Sequence, residues 1–124
     1  MDLQDFGSLQ LKVLEMLWAR GPSAAGDLWG AWPSKPRPAY TTVLSALQKL
    51  YRRAMVARRK QGRAHVYTPR IDRESFRRRY VTQVRDRVFS GSAAGLVAAL
   101  LGGEKLDETE LREIVKLIER RKDK

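Results

Sequence analysis

The excess of positive over negative charge in this chain lies in one stretch, and that limits both its fold and its partners. Residues 49–87 contain fourteen Lys or Arg and three Asp or Glu, so they carry the whole formal net charge of +11 and the rest of the chain is neutral. The stretch begins within a helical pattern at residues 40–50 and continues through two short β-like runs at 55–60 and 63–68. A surface that only aids solubility usually mixes both signs. The concentration of one sign on a helix and a hairpin predicts a polyanionic partner.

The composition excludes several classes of site. The 124 residues, 43% of them hydrophobic, suffice for one ordinary domain or two very small ones. The absence of cysteine rules out disulfides, Cys-ligated zinc and thiol redox chemistry, and the single histidine, His65, cannot form a metal-binding cluster. We therefore predict no metal site and no cofactor. We also predict no enzyme, because no Ser-His-acid set, phosphate-binding glycine loop or spaced carboxylate pair stands out.

Two features bear on the location of the protein. No apolar run approaches the roughly 20 residues that span a bilayer, and residues 1–5 are acidic where a signal peptide would be basic. We therefore expect a cytoplasmic protein without a membrane partner.

The amino-terminal part begins with two helical segments. Apolar residues at helical spacing predict a first helix over residues 9–19, and the Gly-Pro pair that follows predicts its end. Ser23 is the expected cap of a second, short helix that reaches Trp29. Three prolines within residues 32–38 predict a stiff connector that is neither helix nor strand.

The third helix has one apolar face and one hydrogen-bonding face. Val43, Leu47 and Leu50 form the stripe that is expected to face the core, and hydroxyl, amide and cationic side chains recur on the opposite side. Glycine supplies the positive φ that a tight turn needs, so a hairpin is predicted with its turn at Gln61-Gly62. Three helices followed by a hairpin are typical of a winged helix-turn-helix, which places its recognition helix in the major groove of DNA.

This arrangement gives a set of candidate DNA-binding residues. Side chains of the third helix would read base edges or bind phosphates, and cations of the hairpin would clamp the backbone or enter the minor groove. The candidates are Tyr40, Thr41, Thr42, Ser45, Gln48, Lys49, Arg52, Arg53, Arg58, Arg59, Lys60 and Arg63. Arg77, Arg78 and Arg79 could equally approach flanking phosphates or cover the outside of a dimer helix, and the charge pattern alone leaves this choice open.

The carboxy-terminal half is expected to pair with a second copy of the chain. A helix capped by Asp72, an Ala- and Gly-rich segment at residues 93–101 and a last helix capped by Asp107 all have wide apolar faces. About fifty residues cannot easily enclose a core alone. We therefore predict a winged-helix DNA-binding domain at residues 1–70 and a three-helix dimerisation domain at residues 71–124. The expected dimer interface consists of Phe76, Tyr80, Val84, Val88, Leu96, Leu100, Leu111, Ile114, Val115 and Ile118.

The predicted fold is mainly α with a small β-hairpin, an amino-terminal winged helix-turn-helix followed by a carboxy-terminal helical dimerisation region. A two-fold dimer would place two recognition helices about one DNA turn, roughly 34 Å, apart, so its operator would be a palindrome. The predicted function is sequence-specific repression of transcription from such an operator. The alternative from another class is a basic RNA-binding or ribosome-associated adaptor, which would recognise A-form RNA by shape or stacking and would need no dimer.

Four segments resemble one known family of proteins. They are residues 9–18 (LQLKVLEMLW), 40–43 (YTTV), 62–69 (GRAHVYTP) and 91–97 (GSAAGLV). In order and spacing they are similar to the BlaI/MecI/CopY family of penicillinase-type repressors, over almost the whole chain. The resemblance implies a winged helix, a three-helix dimerisation region and repression by occupation of a promoter palindrome. The inducer, a regulatory protease or another signal, stays open.

Three departures from the family pattern limit what the resemblance implies. Many relatives have Lys-Gly after the recognition helix, where this chain has Arg53-Ala54. Members relieved by proteolysis are cut at an Asn-Phe step, whereas the matching position here is Ala99-Leu100. Copper-responsive members use a carboxy-terminal cysteine motif, which a chain without cysteine cannot form.

Overall fold

A computed structural model describes residues 6–103 and 105–123. The acidic start at residues 1–5, on which the signal-peptide argument rests, lies outside the described residues. Along the chain the elements are α1 (Ser8–Arg20), β1 (Ser23–Ala24), α2 (Ala25–Gly30), α3 (Tyr40–Arg52), β2 (Val56–Gln61), β3 (Ala64–Pro69), α4 (Arg73–Val88), α5 (Ala93–Gly103) and α6 (Glu108–Lys122).

The chain divides into two compact units, Met1–Gln83 and Val84–Lys124. The predicted domain boundary after residue 70 lies earlier than this division. The reason is that Ile71 and Phe76 are both buried in the core of the first unit. The start of α4 is therefore structurally part of the first unit.

Phe76 differs in this respect from the other residues of the predicted dimer interface. It is 4% exposed, and its ring centroid lies 5.2 Å from that of Phe6, 5.6 Å from that of Trp18 and 5.9 Å from that of Tyr80. The Trp18 indole also donates a hydrogen bond of 2.9 Å to the Ile71 carbonyl. A ring buried in its own chain has little surface left for a second copy, so the placement of Phe76 in a dimer interface is corrected to the core of the first unit.

The core of the first unit forms where α1 and α3 bring their apolar stripes together. Val43, Leu47 and Leu50 are fully buried, as their spacing predicts, and Ala46 joins them. Burial of a large aliphatic side chain is worth about 1.5–3 kcal/mol relative to exposure. The predicted stripe of α1 is likewise buried at Val13, Leu14 and Leu17. Because these side chains face inward, the polar side chains of α3 are left outside.

A three-stranded antiparallel sheet completes the first unit, in the order β1-β3-β2. The predicted hairpin is confirmed, but its turn lies one residue later than predicted, since Gln61 is paired with Ala64. The two turn residues are thus Gly62 and Arg63, and Gly62 has a φ of 63°. Two-residue hairpin turns need a positive φ at their first position, which only glycine adopts without strain. The helices and this sheet form the predicted winged helix.

The short strand β1 was not predicted, and it changes the role of Ser23. Ser23 pairs with Tyr67 of β3, and it stands one residue before the capping position, which is Ala24. Its hydroxyl donates to the Gly21 carbonyl at 2.9 Å instead. The helix begins after Ala24, whose N–H donates to the Asp27 carboxylate at 2.9 Å. The prediction of Ser23 as the helix cap is therefore wrong.

After the end of α3, Ala54 takes the position where many relatives have glycine. The Ala54 N–H donates to the Tyr51 carbonyl and the Met55 N–H to the Leu50 carbonyl, both at 3.0 Å. These two bonds are those of a Schellman motif. Its central residue must be left-handed, and Ala54 accordingly has a φ of 59°. An alanine Cβ crowds the backbone in this conformation, at a cost of about 1–2 kcal/mol.

We expect Ala54→Gly to raise the free energy of unfolding by about 0.5–1 kcal/mol, since relief of the crowding exceeds the entropy that glycine adds to the unfolded chain. Urea denaturation measures the change. Ala57→Gly is the matched control, because Ala57 is exposed in β2 and glycine within a strand lowers stability by about 0.5–1 kcal/mol. Equal losses in both variants would contradict this account of Ala54.

The start of α4 agrees with its sequence signal. The Asp72 carboxylate accepts a hydrogen bond of 2.8 Å from the Ser75 N–H, as expected of a capping residue. This bond to the Ser75 backbone is the main cause that holds the pKa of Asp72 below its ordinary value. Asp72 thus stays ionised and continues to cap the helix at mildly acidic pH.

The second unit consists of helices that bury almost nothing within one chain. The Ser92 hydroxyl caps α5 by accepting from the Gly95 N–H at 2.8 Å, and Asp107 caps α6 by accepting from the Glu110 N–H at 2.8 Å. Neither α5 nor α6 contains a buried residue within the described part of the chain.

In residues 6–103 and 105–123, no helix is both long and apolar enough to cross a bilayer.

Candidate nucleic-acid interface

The outer face of α3 carries a set of side chains that can bind DNA. Thr41, Thr42, Gln48, Lys49 and Arg52 are exposed, and Ser45 is half-buried between them. They lie opposite the buried stripe, because residues three, four and seven apart share a face of a helix. Hydroxyl and amide groups both donate and accept, as contacts to base edges require, while Lys and Arg suit phosphates.

The hairpin extends this surface, since Arg58 connects β2 to α3. Arg58 is paired with the buried Tyr67, and directly paired residues of a sheet point to the same face. Beyond the core, the guanidinium of Arg58 lies 3.9 Å from the centroid of the Tyr51 ring on α3. This cation–π contact holds the hairpin against the end of the helix. Arg59, Lys60 and Arg63 are exposed further along the hairpin.

The proline-rich connector before α3 contributes a cation that the sequence argument missed. The Trp29 indole donates to the Pro38 carbonyl at 3.0 Å, which ties the connector to α2. The guanidinium of Arg37 stacks 3.7 Å from the centroid of the Trp29 ring. Tyr40 contacts the same indole edge-on, with 6.2 Å between ring centroids. Arg37 is thus held next to the start of α3.

Tyr40 at the start of α3 packs against a neighbouring ring and also stays exposed. Its ring packs against Trp29, yet the residue remains 43% exposed. Packing therefore orients the side chain without removing it from the surface.

Arg53 is the member of the predicted set that the structure separates from the others. Its guanidinium lies 5.9 Å from the centroid of the Phe6 ring, and its Nη1 atom is buried without a hydrogen-bond partner among the described residues. The guanidinium of Arg53 thus lies near Phe6, before α1, and the role of Arg53 in DNA binding stays a prediction.

The surface formed by α3 and the hairpin is positively charged and has few acids near it in the sequence. No Asp or Glu stands between Asp27 and Asp72 in the sequence. Within the described part of the chain, no cation of α3 or of the hairpin belongs to an ion pair. Counting charge from residue 28 rather than residue 49 would have added Arg37 to the candidates.

No group of three His, Cys, Asp or Glu that could hold a metal occurs among the residues described.

Comparison with known proteins identifies the family of this chain. The model of the penicillinase repressor family matches residues 6–120, which is nearly the whole chain. The chain belongs to the penicillinase repressor family. The resemblance of the four sequence segments is thereby confirmed, and membership places the chain among DNA-binding repressors of transcription.

Individual members of the penicillinase repressor family show the same relationship. The penicillinase repressor of Bacillus licheniformis is 21% identical over 115 residues, which cover 93% of this chain and 90% of that protein. The transcriptional regulator BlaI of Mycobacterium tuberculosis is 34% identical over 68 residues, or 54% of this chain and 49% of that protein. The solution structure of the DNA-binding domain of the repressor BlaI superposes with a TM-score of 0.52 at 20% identity, over 60% of this chain and 90% of that one. This last likeness concerns the fold.

Proposed function

We propose that this member of the penicillinase repressor family is a sequence-specific repressor that binds a palindromic operator as a homodimer. The observation that carries the proposal is that α3 and the hairpin together form one cationic surface. The two are joined by the Arg58 guanidinium, which lies 3.9 Å from the centroid of the Tyr51 ring. An α-helix of about 10–12 Å diameter fits the major groove of B-DNA, which is about 12 Å wide. With α3 in that groove, the hairpin reaches the neighbouring backbone.

The two parts of the surface have different tasks in this proposal. Thr42 and Gln48, which are exposed on α3, can donate to and accept from base edges, so they contribute to the choice of sequence. Arg59 and Lys60 of the hairpin have no paired acid among the described residues, so they bind phosphates of any sequence. Affinity then comes mainly from the hairpin and specificity mainly from the helix.

The homodimer is supported by the apolar side chains that the second unit leaves exposed. Val88 is 68% exposed and Val115 is 55% exposed, and neither α5 nor α6 has a buried residue within the described part. Large apolar side chains exposed in this number on one small unit favour an interaction site. Two copies would cover each other by a two-fold axis and so present two recognition helices to two half-sites. Among the described residues, the large apolar side chains exposed in this unit are Val88, Val97, Leu100, Leu101, Leu111, Val115, Leu117 and Ile118.

We expect Thr42→Ala and Arg59→Ala to weaken binding in different ways. Thr42→Ala should reduce the preference for the operator over random duplex by about tenfold, since a lost base contact costs about 1–3 kcal/mol. Arg59→Ala should weaken binding to both duplexes by similar factors, because a phosphate contact is independent of sequence. Fluorescence anisotropy with the two duplexes measures both changes. If each variant lost the same factor of affinity for the operator as for random duplex, the division of tasks would be rejected.

The decisive test of the proposed function is selection of bound duplexes from a random DNA pool by the purified protein. Salt near 150 mM weakens purely electrostatic binding, so that sequence-specific complexes are retained. Enrichment of an inverted repeat is the expected result. Retention of nucleic acid without any enriched sequence would overturn the proposal and favour the RNA-binding adaptor, which the same experiment with an RNA pool would detect.

A further inference from the structure

The proline-rich connector between α2 and α3 carries two exposed cations that lie outside both the recognition helix and the hairpin. They are Lys35 and Arg37, in a segment that belongs to no helix or strand. Proline fixes its own φ, so Pro36 and Pro38 on either side of Arg37 limit the freedom of the backbone there. The proposed function gives neither of these two cations a role.

Arg37 differs from Lys35 because an aromatic ring holds its side chain. The Arg37 guanidinium lies 3.7 Å from the centroid of the Trp29 ring, and the Trp29 indole donates to the Pro38 carbonyl at 3.0 Å. Stacking occupies one face of the guanidinium and leaves the N–H donors at its edge available to a ligand. Arg37 has no ion pair among the described residues. A charged side chain that is already held in place loses less conformational entropy when it binds.

The two ends of α3 are alike in that each has an arginine packed on an aromatic ring. Tyr40, the first residue of α3, contacts the same indole as Arg37, with 6.2 Å between the ring centroids. Near the last turn, Arg58 of the hairpin lies 3.9 Å from the centroid of the Tyr51 ring. Tyr40 and Tyr51 are eleven residues apart, which is about 16 Å along the helix axis. The connector and the hairpin are therefore held near opposite ends of α3.

Cations at opposite ends of α3 can reach phosphates on both sides of the groove that the helix enters. The major groove of B-DNA is about 12 Å wide, which is less than the separation of about 16 Å along the helix. We propose that Arg37 binds a backbone phosphate on the side of the major groove opposite the hairpin. The inference rests on the proposed function and adds the connector as a third DNA-binding element. A phosphate accepts two N–H groups of one arginine side by side, a geometry that lysine lacks.

The first test removes the charge of Arg37 and compares this with the same change at Lys35. Both residues are exposed in the same connector, so Arg37→Ala and Lys35→Ala change the net charge equally. Lys35 has no contact with an acid or an aromatic ring among the described residues. Lys35→Ala is therefore the matched control. A melting temperature close to that of the unaltered protein shows that each variant is folded.

For Arg37→Ala we expect the affinity for random duplex DNA to fall on the order of tenfold, and the salt slope to fall by about two per dimer. Lys35→Ala should change the affinity by less than about threefold, because nothing orients that side chain toward the duplex. Arg37→Lys keeps the charge and loses the planar pair of donors, so it should retain the salt slope while the affinity falls by roughly threefold. Fluorescence anisotropy at several salt concentrations measures these changes.

The second test locates the connector on the DNA. The chain contains no cysteine, so a single introduced cysteine can carry an iron chelate that cleaves nearby DNA. Ser34→Cys in the connector and Gln61→Cys in the hairpin are a matched pair, since both replace exposed, uncharged residues. On the selected inverted repeat, the two labels should cleave on opposite sides of the major groove of each half-site. Cleavage at the same nucleotides by both labels, or no cleavage by the connector label, would overturn the proposal.

Equal losses of affinity in Arg37→Ala and Lys35→Ala would also overturn it, because the position of the charge would then make no difference. A failure of the proposed function gives a different result, in which the unaltered protein binds no duplex DNA or enriches no inverted repeat. An unaltered protein that enriches an inverted repeat, together with an Arg37→Ala variant of full affinity, would reject the role of Arg37 alone.

Discussion

Binding of the dimer to DNA should weaken by on the order of a thousandfold or more between about 50 and 200 mM salt. Each chain presents exposed Lys49, Arg52, Arg59, Lys60 and Arg63 on α3 and the hairpin, without an ion pair among the described residues. A dimer in which each of these cations binds one phosphate would contact roughly ten phosphates. Each contact releases condensed counterions from the duplex, so the logarithm of the affinity falls steeply with the logarithm of the salt concentration.

Fluorescence anisotropy of a labelled random duplex at four or five salt concentrations measures this slope. Arg59→Ala provides an internal check, because loss of one phosphate contact per chain should reduce the slope by about two per dimer. Ala19→Asp is the control for net charge. It adds one negative charge at an exposed position near the end of α1, outside α3 and the hairpin, so it should leave the salt slope unchanged. A flat salt response of the unaltered protein would contradict binding led by phosphates.

The winged helix was predictable because its elements have independent and consistent signals. Apolar spacing identified the buried stripe Val43, Leu47 and Leu50, and the glycine at position 62 identified a hairpin. The polar side of α3 followed directly, since a helix with one buried face must expose the other. The exposed cations of the hairpin followed for the same reason.

The errors arose where tertiary contacts decide the outcome. Ser23 looks like a helix cap in the sequence, but it pairs with Tyr67 and the helix begins one residue later than a cap at Ser23 requires. A two-residue strand has no periodicity to recognise. Phe76 has the same i+4 spacing as the exposed apolar residues of α4, yet Phe6 and Trp18 cover its ring. The direction of the Arg53 side chain, which lies near Phe6, could not be read from its charge either.

The role of Arg37 was missed for a related reason. A cation in a proline-rich connector has no helical or strand pattern that indicates where it points. Its position depends on stacking over Trp29, and the indole is itself held by the Pro38 carbonyl. Such contacts between irregular segments cannot be inferred from the spacing of residues.

Val115→Glu should convert the protein from a dimer to a monomer and weaken binding to an inverted repeat by on the order of a hundredfold or more. Val115 is 55% exposed on α6, within the apolar face proposed to meet a second copy. In a two-fold interface this substitution would bury a carboxylate from each chain without a partner, which is strongly unfavourable. Without the dimer, each half-site must be bound separately, and the gain from linked binding is lost.

Sedimentation at micromolar concentration distinguishes the 14.2 kDa chain from a dimer of twice that mass. Thr109→Glu is the matched control, because Thr109 lies in the first turn of α6, on the side opposite Ile118, where an acid favours the helix. The near-ultraviolet circular dichroism of the three tryptophans, all in the first unit, should stay unchanged in both variants and so report an intact winged helix. A Val115→Glu protein that remained dimeric and bound the inverted repeat at full affinity would show that α6 is not the dimer interface. A folded monomer before any substitution would reject the dimer itself, and with it the need for a palindromic operator.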